Sequence, residues 1–398
     1  YRPGPSATKV GEEKIRGRST GITHLSEHDG DHLSTIAIIT DSHFGVRSDT
    51  PAMYHMQQKF FEEVFFPTLD THGVTRVLHG GDYGDRRKYI NFATARFIEH
   101  QYRAPLRARD IREDVIIGNH DCFLRDSTEI NSVEELYRHD DSLRIYTQPT
   151  EIDVDGCGIL LLPWICGNNR DASMHAIATS SAAVVLGHLE LSGFQMHRGM
   201  QNREGLDPSM FDRFGMVMSG HYHHRSSKDP IHYLGAPYAM TWSDFCDPRG
   251  FHLFDTETRA LTFIENPHTI FTRLVYDDLD QPADYASGIV ESVVAPQSPY
   301  HEAYVRIVVK NKTRPYDFDL VLDALSKVNP QDVLIVDDIV NTLPDSDTDT
   351  LSADVDTMTL IEDYVEGLSV SCDKAELQSY LRTLYHDAMM NTNSARLS

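Results

Sequence analysis

Asp41, His43, Asp82, Asn119, His120, His188, His221 and His223 are the residues of this sequence best placed to do chemistry, because each follows or closes a short apolar run. The first run, Ile36 to Ile39, leads into Thr40-Asp41-Ser42-His43. Later runs close on Gly81-Asp82, Gly118-Asn119-His120-Asp121, Gly187-His188 and Gly220-His221-Tyr222-His223. An apolar strand that stops at a small residue and then a carboxylate, amide or imidazole delivers those groups to its carboxyl end, where α/β sheets bind ligands. The repetition places all of them on one edge of one sheet. Singly, a Gly-Asp or Gly-His is turn chemistry or a satisfied histidine; the five together single out a metal centre.

Asp41, His43, Asp82, Asn119, His188, His221 and His223 offer oxygen or nitrogen and no thiolate. Such a set suits two hard or borderline divalent ions, manganese or magnesium, better than structural zinc. A carboxylate shared between two ions makes a hydrolytic site in which the ions acidify a water and neutralise phosphate oxygens. His120 is then left over as a donor to the phosphate or the leaving oxygen.

The elements that must position these groups alternate between strand and helix. From Ala52 to Thr68, Met53, Met56, Phe60, Val64 and Phe65 recur at helical spacing before Gly73. A strand over 74–78, a helix from about 90 to 100 and a strand over 114–117 follow, an α/β layered order. Further strands fall at 158–163, 183–186, 215–218 and 231–234, with a hairpin over 251–254 and 260–264. The domain so defined spans 34–266. Strands at 270–275, 304–309 and 333–336 and a helix at 318–328 make residues 267–340 a small α/β module. Residues 341–356 read as an acidic linker, since Asp345, Asp347 and Asp349 lack the Gly and Glu of a calcium loop. Residues 357–398 hold two amphipathic helices, over 357–366 and 373–389, whose apolar faces call for a docking partner. The first 33 residues, rich in Gly, Ser and charge, read as a disordered tail, so His24, His28 and His32 are not taken as a metal cluster.

With 398 residues, 40% hydrophobic and 24% charged, the chain has the composition of a globular protein of more than one domain. No run approaches the length of a membrane span and no signal-peptide core opens the sequence, so it reads as cytoplasmic. Its five scattered cysteines read as reduced thiols. A net charge of −24 argues against nonspecific adhesion to nucleic acid. The charge is uneven: residues 328–372 contain no Lys or Arg, whereas Arg86, Arg87, Lys88, Arg96, Arg103, Arg107, Arg109 and Arg112 cluster. That cluster is either a basic face, with Arg86, Arg87 and Lys88 meeting substrate, or a solvated helix paired with Glu99, Asp110 and Glu113.

The five strand-end motifs resemble the signatures of the calcineurin-like metallophosphoesterases. Phe44-Gly45, Leu162-Pro163-Trp164, the run from Gly187 to Phe194, Leu234-Gly235-Ala236-Pro237 and the run from Asp247 to Phe251 are similar to SbcD-type DNA repair nucleases. Within these, the likeness is to the recombination endonuclease subunits of T-even-like phages, from about Ile36 to Tyr385. The resemblance implies a layered β-sandwich nuclease domain flanked by helices, an α/β capping domain and a C-terminal helical pair. It implies that Asp41, His43 and His223 bind one metal, that Asp82 bridges, and that Asn119, His188 and His221 bind the other. His120 would be the non-ligand catalytic histidine. Manganese, a homodimer, DNA and an SbcC-like coiled-coil ATPase held by the C-terminal helices belong to the same expectation. Cellular members carry a histidine three residues beyond the bridging aspartate, and Asp85 stands there instead, which leaves the balance of exonuclease and endonuclease open. The rival enzyme class is a phosphomonoesterase of the serine/threonine phosphatase kind, on the likeness of the run from Gly81 to Arg86. A non-catalytic scaffold would be marked by loss of a ligand.

Overall fold

The computed structural model describes residues 35–197, 200–202 and 205–337, with Lys374 and Gln378. The tail, the acidic linker and the C-terminal helical pair expected from the sequence lie outside the described residues, those two positions aside.

Three parallel strands come first: β1 (Thr35–Ile39), β2 (Arg76–His79) and β3 (Arg112–Ile116). A hairpin of β4 (Cys122–Leu124) and β5 (Ser127–Asn131) follows, and β6 (Leu143–Tyr146) then joins β3 in parallel. β7 (Thr150–Val154) and β8 (Cys157–Leu162) are antiparallel, and β9 (Val184–His188) lies parallel to β8. A short ribbon of β10 (Gln195–His197) and β11 (Met200–Gln201) precedes β12 (Met216–Gly220), β13 (Ser226–Lys228) and β14 (Ile231–Tyr233). β15 (Gly250–Asp255) and β16 (Leu261–Glu265) then return to the first strands. The result is two six-stranded sheets, in orders β16-β15-β1-β2-β3-β6 and β13-β14-β12-β9-β8-β7.

The expectation of a single sheet edge is therefore corrected: β1, β2 and β3 bring their carboxyl ends from one sheet, β9 and β12 from the other. The physical reason is visible in β1, which is buried on both faces. Ile36 and Ile38 pack with Leu78, Ile116, Ile159, Leu161, Val184, Leu186 and Met218 between the sheets. Ala37 and Ile39 face the opposite way, into a core with Phe60, Phe61, Phe65 and Tyr102. Continuous apolar runs fit any doubly covered strand, so they do not say which sheet a strand joins.

The helices over that outer face run further than their sequence pattern suggested. The first continues from Pro51 to Thr71 through a π-helical turn at Phe61–Phe65, and the second from Phe92 to Ala108 through one at Glu99–Arg103. In each, a proline follows within two residues, Pro67 and Pro105. A proline ring clashes with the carbonyl four residues back and offers no N–H, so a widened turn lets the helix pass it. Strands β6 and β7 and the helices Ser132–Tyr137 and Arg170–Thr179 were not legible in the sequence, being short or carrying few apolar residues.

Beyond β16, β17 (Phe271–Asp277), β18 (Tyr304–Asn311) and β19 (Asp332–Asp337) form a parallel sheet in that order. Helices Tyr285–Val293 and Pro315–Lys327 pack with it around Tyr276, Val305, Ile307, Phe318 and Leu325. The module is not isolated: Ile270, Phe271 and Tyr304 belong to the same core as Phe44 and Trp242.

Candidate metal centre

The chain reverses sharply where the strands end. Asp41, His43, Asp82 and His221 all have left-handed backbone, with φ of 54°, 39°, 53° and 82°. Such conformations cost non-glycine residues and persist only where the surroundings hold them. Here the loops after β1 and β2 are laced together: Asp41 N–H donates to the Gly81 carbonyl at 3.0 Å, His43 N–H to that of Asp82 at 3.0 Å, and Phe44 N–H to that of Tyr83 at 2.9 Å. Gly81, with φ 95°, and Gly118 let these loops touch. A Cβ on Gly118 would lie 2.2 Å from the Asp82 nitrogen.

These turns gather all the expected donors. Three overlapping groups, Asp41 with His43 and His223, His43 with Asp82 and His120, and Asp82 with His188 and His221, each place their ligand atoms within 4.8 Å of one another. His43 Nε2 lies 3.0 Å from His223 Nε2 and 3.5 Å from Asp82 Oδ2. Asn119 Oδ1 accepts from His188 Nε2 at 2.9 Å and from His221 Nδ1 at 3.0 Å. His120 donates from Nδ1 to the Asp85 carbonyl at 2.7 Å, which leaves Nε2 as its ring nitrogen for chemistry. Asp85 brings a carboxylate to the same place, its Oδ1 3.4 Å from His43 Nδ1.

The donor set fits a cation. Asp41 and Asp82 are wholly buried. Burial raises the Asp41 carboxyl above its usual range. For Asp82 burial is outweighed by the His188 and His120 charges, which hold it well below that range. Burial likewise works against charge on His188, but the Asp82 and Asp41 carboxylates and the Gly80 carbonyl raise it to about 9. His43 is raised to about 9 against burial by Asp85, Asp82 and Asp41. His221 falls to about 3, through burial and then the His188 charge. Two buried carboxylates thus draw positive charge onto neighbouring imidazoles, a demand that divalent ions meet directly.

No family model matches the sequence. Exonuclease subunit 1 of Enterobacteria phage T4 is 30% identical over 350 residues, covering 87% of this chain and 97% of that protein. The chain belongs to the exonuclease subunit 1 family. It is a metal-dependent phosphodiesterase of the nuclease kind. An archaeal phosphodiesterase of solved structure matches at 12% identity and a TM-score of 0.30, over 58% of this chain and 99% of that one.

In this exonuclease-family chain the basic cluster divides between its two readings. Arg86, Arg87 and Lys88 line a cavity of about 990 Å³ together with His120, His221 and His223. Arg86 also donates to Asp49 at 2.6 Å. Arg103, Arg107 and Arg109 are instead held by acids: Arg103 by Glu113 and Asp140, Arg107 by Glu99 and Asp140, Arg109 by Asp70. Of the three acids expected as partners, Glu99 and Glu113 pair as read, and the place of Asp110 is taken by Asp70 and Asp140, which only the fold brings near.

Several supports of the exonuclease-family centre were missed in the sequence. His79 Nε2 lies 2.9 Å from Ser42 Oγ while its Nδ1 accepts the Gly81 N–H at 3.2 Å, so a neutral imidazole clamps the first two loops. Burial, then the His188 charge, lowers His79 to about 3 and keeps it neutral. Asp121 accepts N–H groups from Tyr83, Gly84 and Gly118 at 2.9, 3.0 and 2.9 Å. Arg249 donates to the His223 carbonyl and pairs with Asp244 and Asp247, and Asp247 also meets His224 at 2.9 Å. That makes His224 a support beside the site. The available signal for His79 was a strand ending in histidine immediately before Gly-Gly-Asp.

Proposed function

We propose that this chain is the nuclease subunit of a DNA-end-processing complex, cutting phosphodiester bonds with two divalent ions, manganese ahead of magnesium. The observation that carries the reading is the overlap of the three donor groups, with Asp82 common to two of them, as a bridging carboxylate must be. In this reading Asp41, His43 and His223 hold one ion, Asp82 bridges, and Asn119, His188 and His221 hold the second. When bound, the ions supply positive charge to the phosphate oxygens and acidify a water.

The chain's own residues then have separate tasks. His120, its Nδ1 engaged by the Asp85 carbonyl, presents Nε2 to the phosphate or the leaving oxygen and can pass a proton there. Arg86, Arg87 and Lys88 line the cavity and orient the DNA backbone by charge. His79 and Asp121 hold the loops and touch no substrate.

A partner is part of the reading. The phage T4 relative is called a subunit. With a net charge of −24, the chain gains from a basic partner surface in holding DNA. We assign that role to an SbcC-like coiled-coil ATPase bound by residues 357–398, acting with a homodimer of this chain in double-strand-break repair and recombination. The 267–340 module is assigned to placing DNA, and the site of action is assigned to the cytoplasm, that of the host if the chain is phage-encoded.

The test is an assay of the purified chain with manganese on linear duplex DNA and on a small phosphomonoester, with and without the ATPase. Cleavage of DNA is expected; hydrolysis of the monoester alone sinks the nuclease reading in favour of a phosphatase, and inertness on both leaves only a scaffold.

A further inference from the structure

The β4–β5 hairpin starts two residues after His120, and its first strand turns two apolar side chains, followed by Arg125, toward the cavity of the centre. Cys122 is buried, but Phe123 and Leu124 are 40% and 55% exposed, and both line the same cavity as His120 and His221. The hairpin is held firmly. Asp126 Oδ1 accepts the Gly167 N–H at 2.6 Å, Thr128 donates to the Thr147 carbonyl at 2.9 Å, and the Ser132 N–H donates to the Asp121 carbonyl at 2.9 Å. A braced tip that keeps two large apolar side chains open to a cavity of charged residues is made to meet something flat and apolar.

The same cavity carries a second ring and the charges to go with it. Tyr89, 65% exposed, lines it beside Arg86, Arg87 and Lys88, and the Arg86 guanidinium sits 5.2 Å from the Tyr89 ring centroid. Rings next to cations are what single-stranded nucleic acid needs: every base has a π-face to stack, and every linkage a phosphate to neutralise. Meanwhile Asp82, a carboxylate of the centre, lines the same cavity and is buried. A backbone still constrained by base pairing cannot follow so deep without its terminal pair opening.

We propose that Phe123 and Leu124, with Tyr89, form a stacking subsite for an unpaired nucleobase, so that the chain opens or selects the frayed end of a duplex as it delivers a phosphodiester to the centre. This rests on the nuclease reading above and adds the form of DNA the site takes. The subsite acts by capturing the base once it leaves the helix, and it therefore matters most where the end is fully paired.

The experiment uses the full chain and the variant F123A/L124A at saturating DNA, on one duplex with paired ends and on the same duplex with mismatched ends. Bis(p-nitrophenyl) phosphate reports on the centre without any base. For the variant, the ratio of paired-end to mismatched-end rates is expected to fall at least threefold, with diester hydrolysis within twofold of wild type. A smaller change in the ratio overturns the proposal, and is the outcome if the apolar tip meets a protein partner instead. In EDTA, 2-aminopurine at the terminal position is expected to change its emission on binding wild type and not the variant; equal responses also overturn it. Should the double variant fail to fold, Leu124→Ser alone is read by the same threefold criterion. Wild type that hydrolyses the small diester but cuts neither duplex overturns the nuclease reading itself, whereas normal DNA cleavage with an unchanged ratio removes only the stacking subsite.

Discussion

His43 and His223 meet Nε2 to Nε2 at 3.0 Å although 180 residues separate them in the chain. Each comes from a different sheet, so their contact exists only when the two sheets are closed on each other. Both nitrogens also lie near a buried carboxylate, Asp82 for His43 and Asp41 for His223 at 3.8 Å.

If the pair serves one ion, His43→Ala and His223→Ala lose DNA cleavage to a similar extent, on the order of 10³-fold, and the double variant is little worse than either. Steady-state rates of the three variants check this. Losses that multiply in the double variant show that the two histidines serve separate sites.

His120→Gln is expected to keep both metals while cleavage falls by about 10²–10⁴-fold, the range of general acid–base catalysis. Calorimetric titration with manganese decides it. A variant that no longer takes up metal shows His120 to be a ligand.

Metal removal is expected to lower stability. With ions at 100 times their dissociation constant, the folded state gains about 2.7 kcal/mol by mass action. Thermal unfolding in EDTA and at rising manganese should show a midpoint that climbs with the ion; a flat midpoint contradicts tight binding to the folded chain.

Gly118→Ala is expected to disable the centre from the backbone. Its Cβ would fall 2.2 Å from the Asp82 nitrogen, so the Asp82 loop must move and carry a donor shared by two groups with it. Manganese affinity is expected to fall at least tenfold while the circular dichroism of the fold survives. Unchanged affinity shows that the loops tolerate the shift.

Arg103 is completely buried and donates to Glu113 and to Asp140 at 2.9 Å; Asp140 keeps Arg107, but Arg103→Met leaves the buried Glu113 carboxylate without a cation and is expected to cost about 3–5 kcal/mol in urea unfolding. The pH dependence has a definite sign. Burial works to raise Asp140, but Ser142 and Arg103 outweigh it and hold the carboxyl below its usual range. A depressed folded pKa gives stability that is present above the unfolded value, about 3.9, and is lost as pH falls further. Asp140→Asn is expected to flatten that acid limb and leave the slope above about pH 5 unaltered; an unaltered acid limb removes Asp140 from the account.

Most of the donor set was legible because each donor follows a small residue at the end of an apolar run, a local pattern that does not depend on partners. What the sequence does not carry is the assignment of runs to sheets. Ile36 to Ile39 and Val184 to Leu186 are equally apolar, yet one strand pairs with β15 and β2 and the other with β8 and β12. Arg103 was half legible: Glu113 was among the acids expected to pair with its cluster, but Asp140 lies 37 residues away and meets it only through the loop before β6. The helix lengths were understated as well: the apolar spacing stops at Thr68 and near residue 100, whereas the helices run on to Thr71 and Ala108, a widened turn coming just before Pro67 and Pro105.

The position of β1 also sets an order on synthesis. It lies between β2 and β15, and β15 is completed only at Asp255. As the ribosome makes the chain, Asp41 and His43 emerge early beside a strand that lacks its neighbour, and His221 and His223 follow some 180 residues later. A nascent chain therefore carries no complete donor set, and the capacity for catalysis arises late in translation, once the whole sandwich can close.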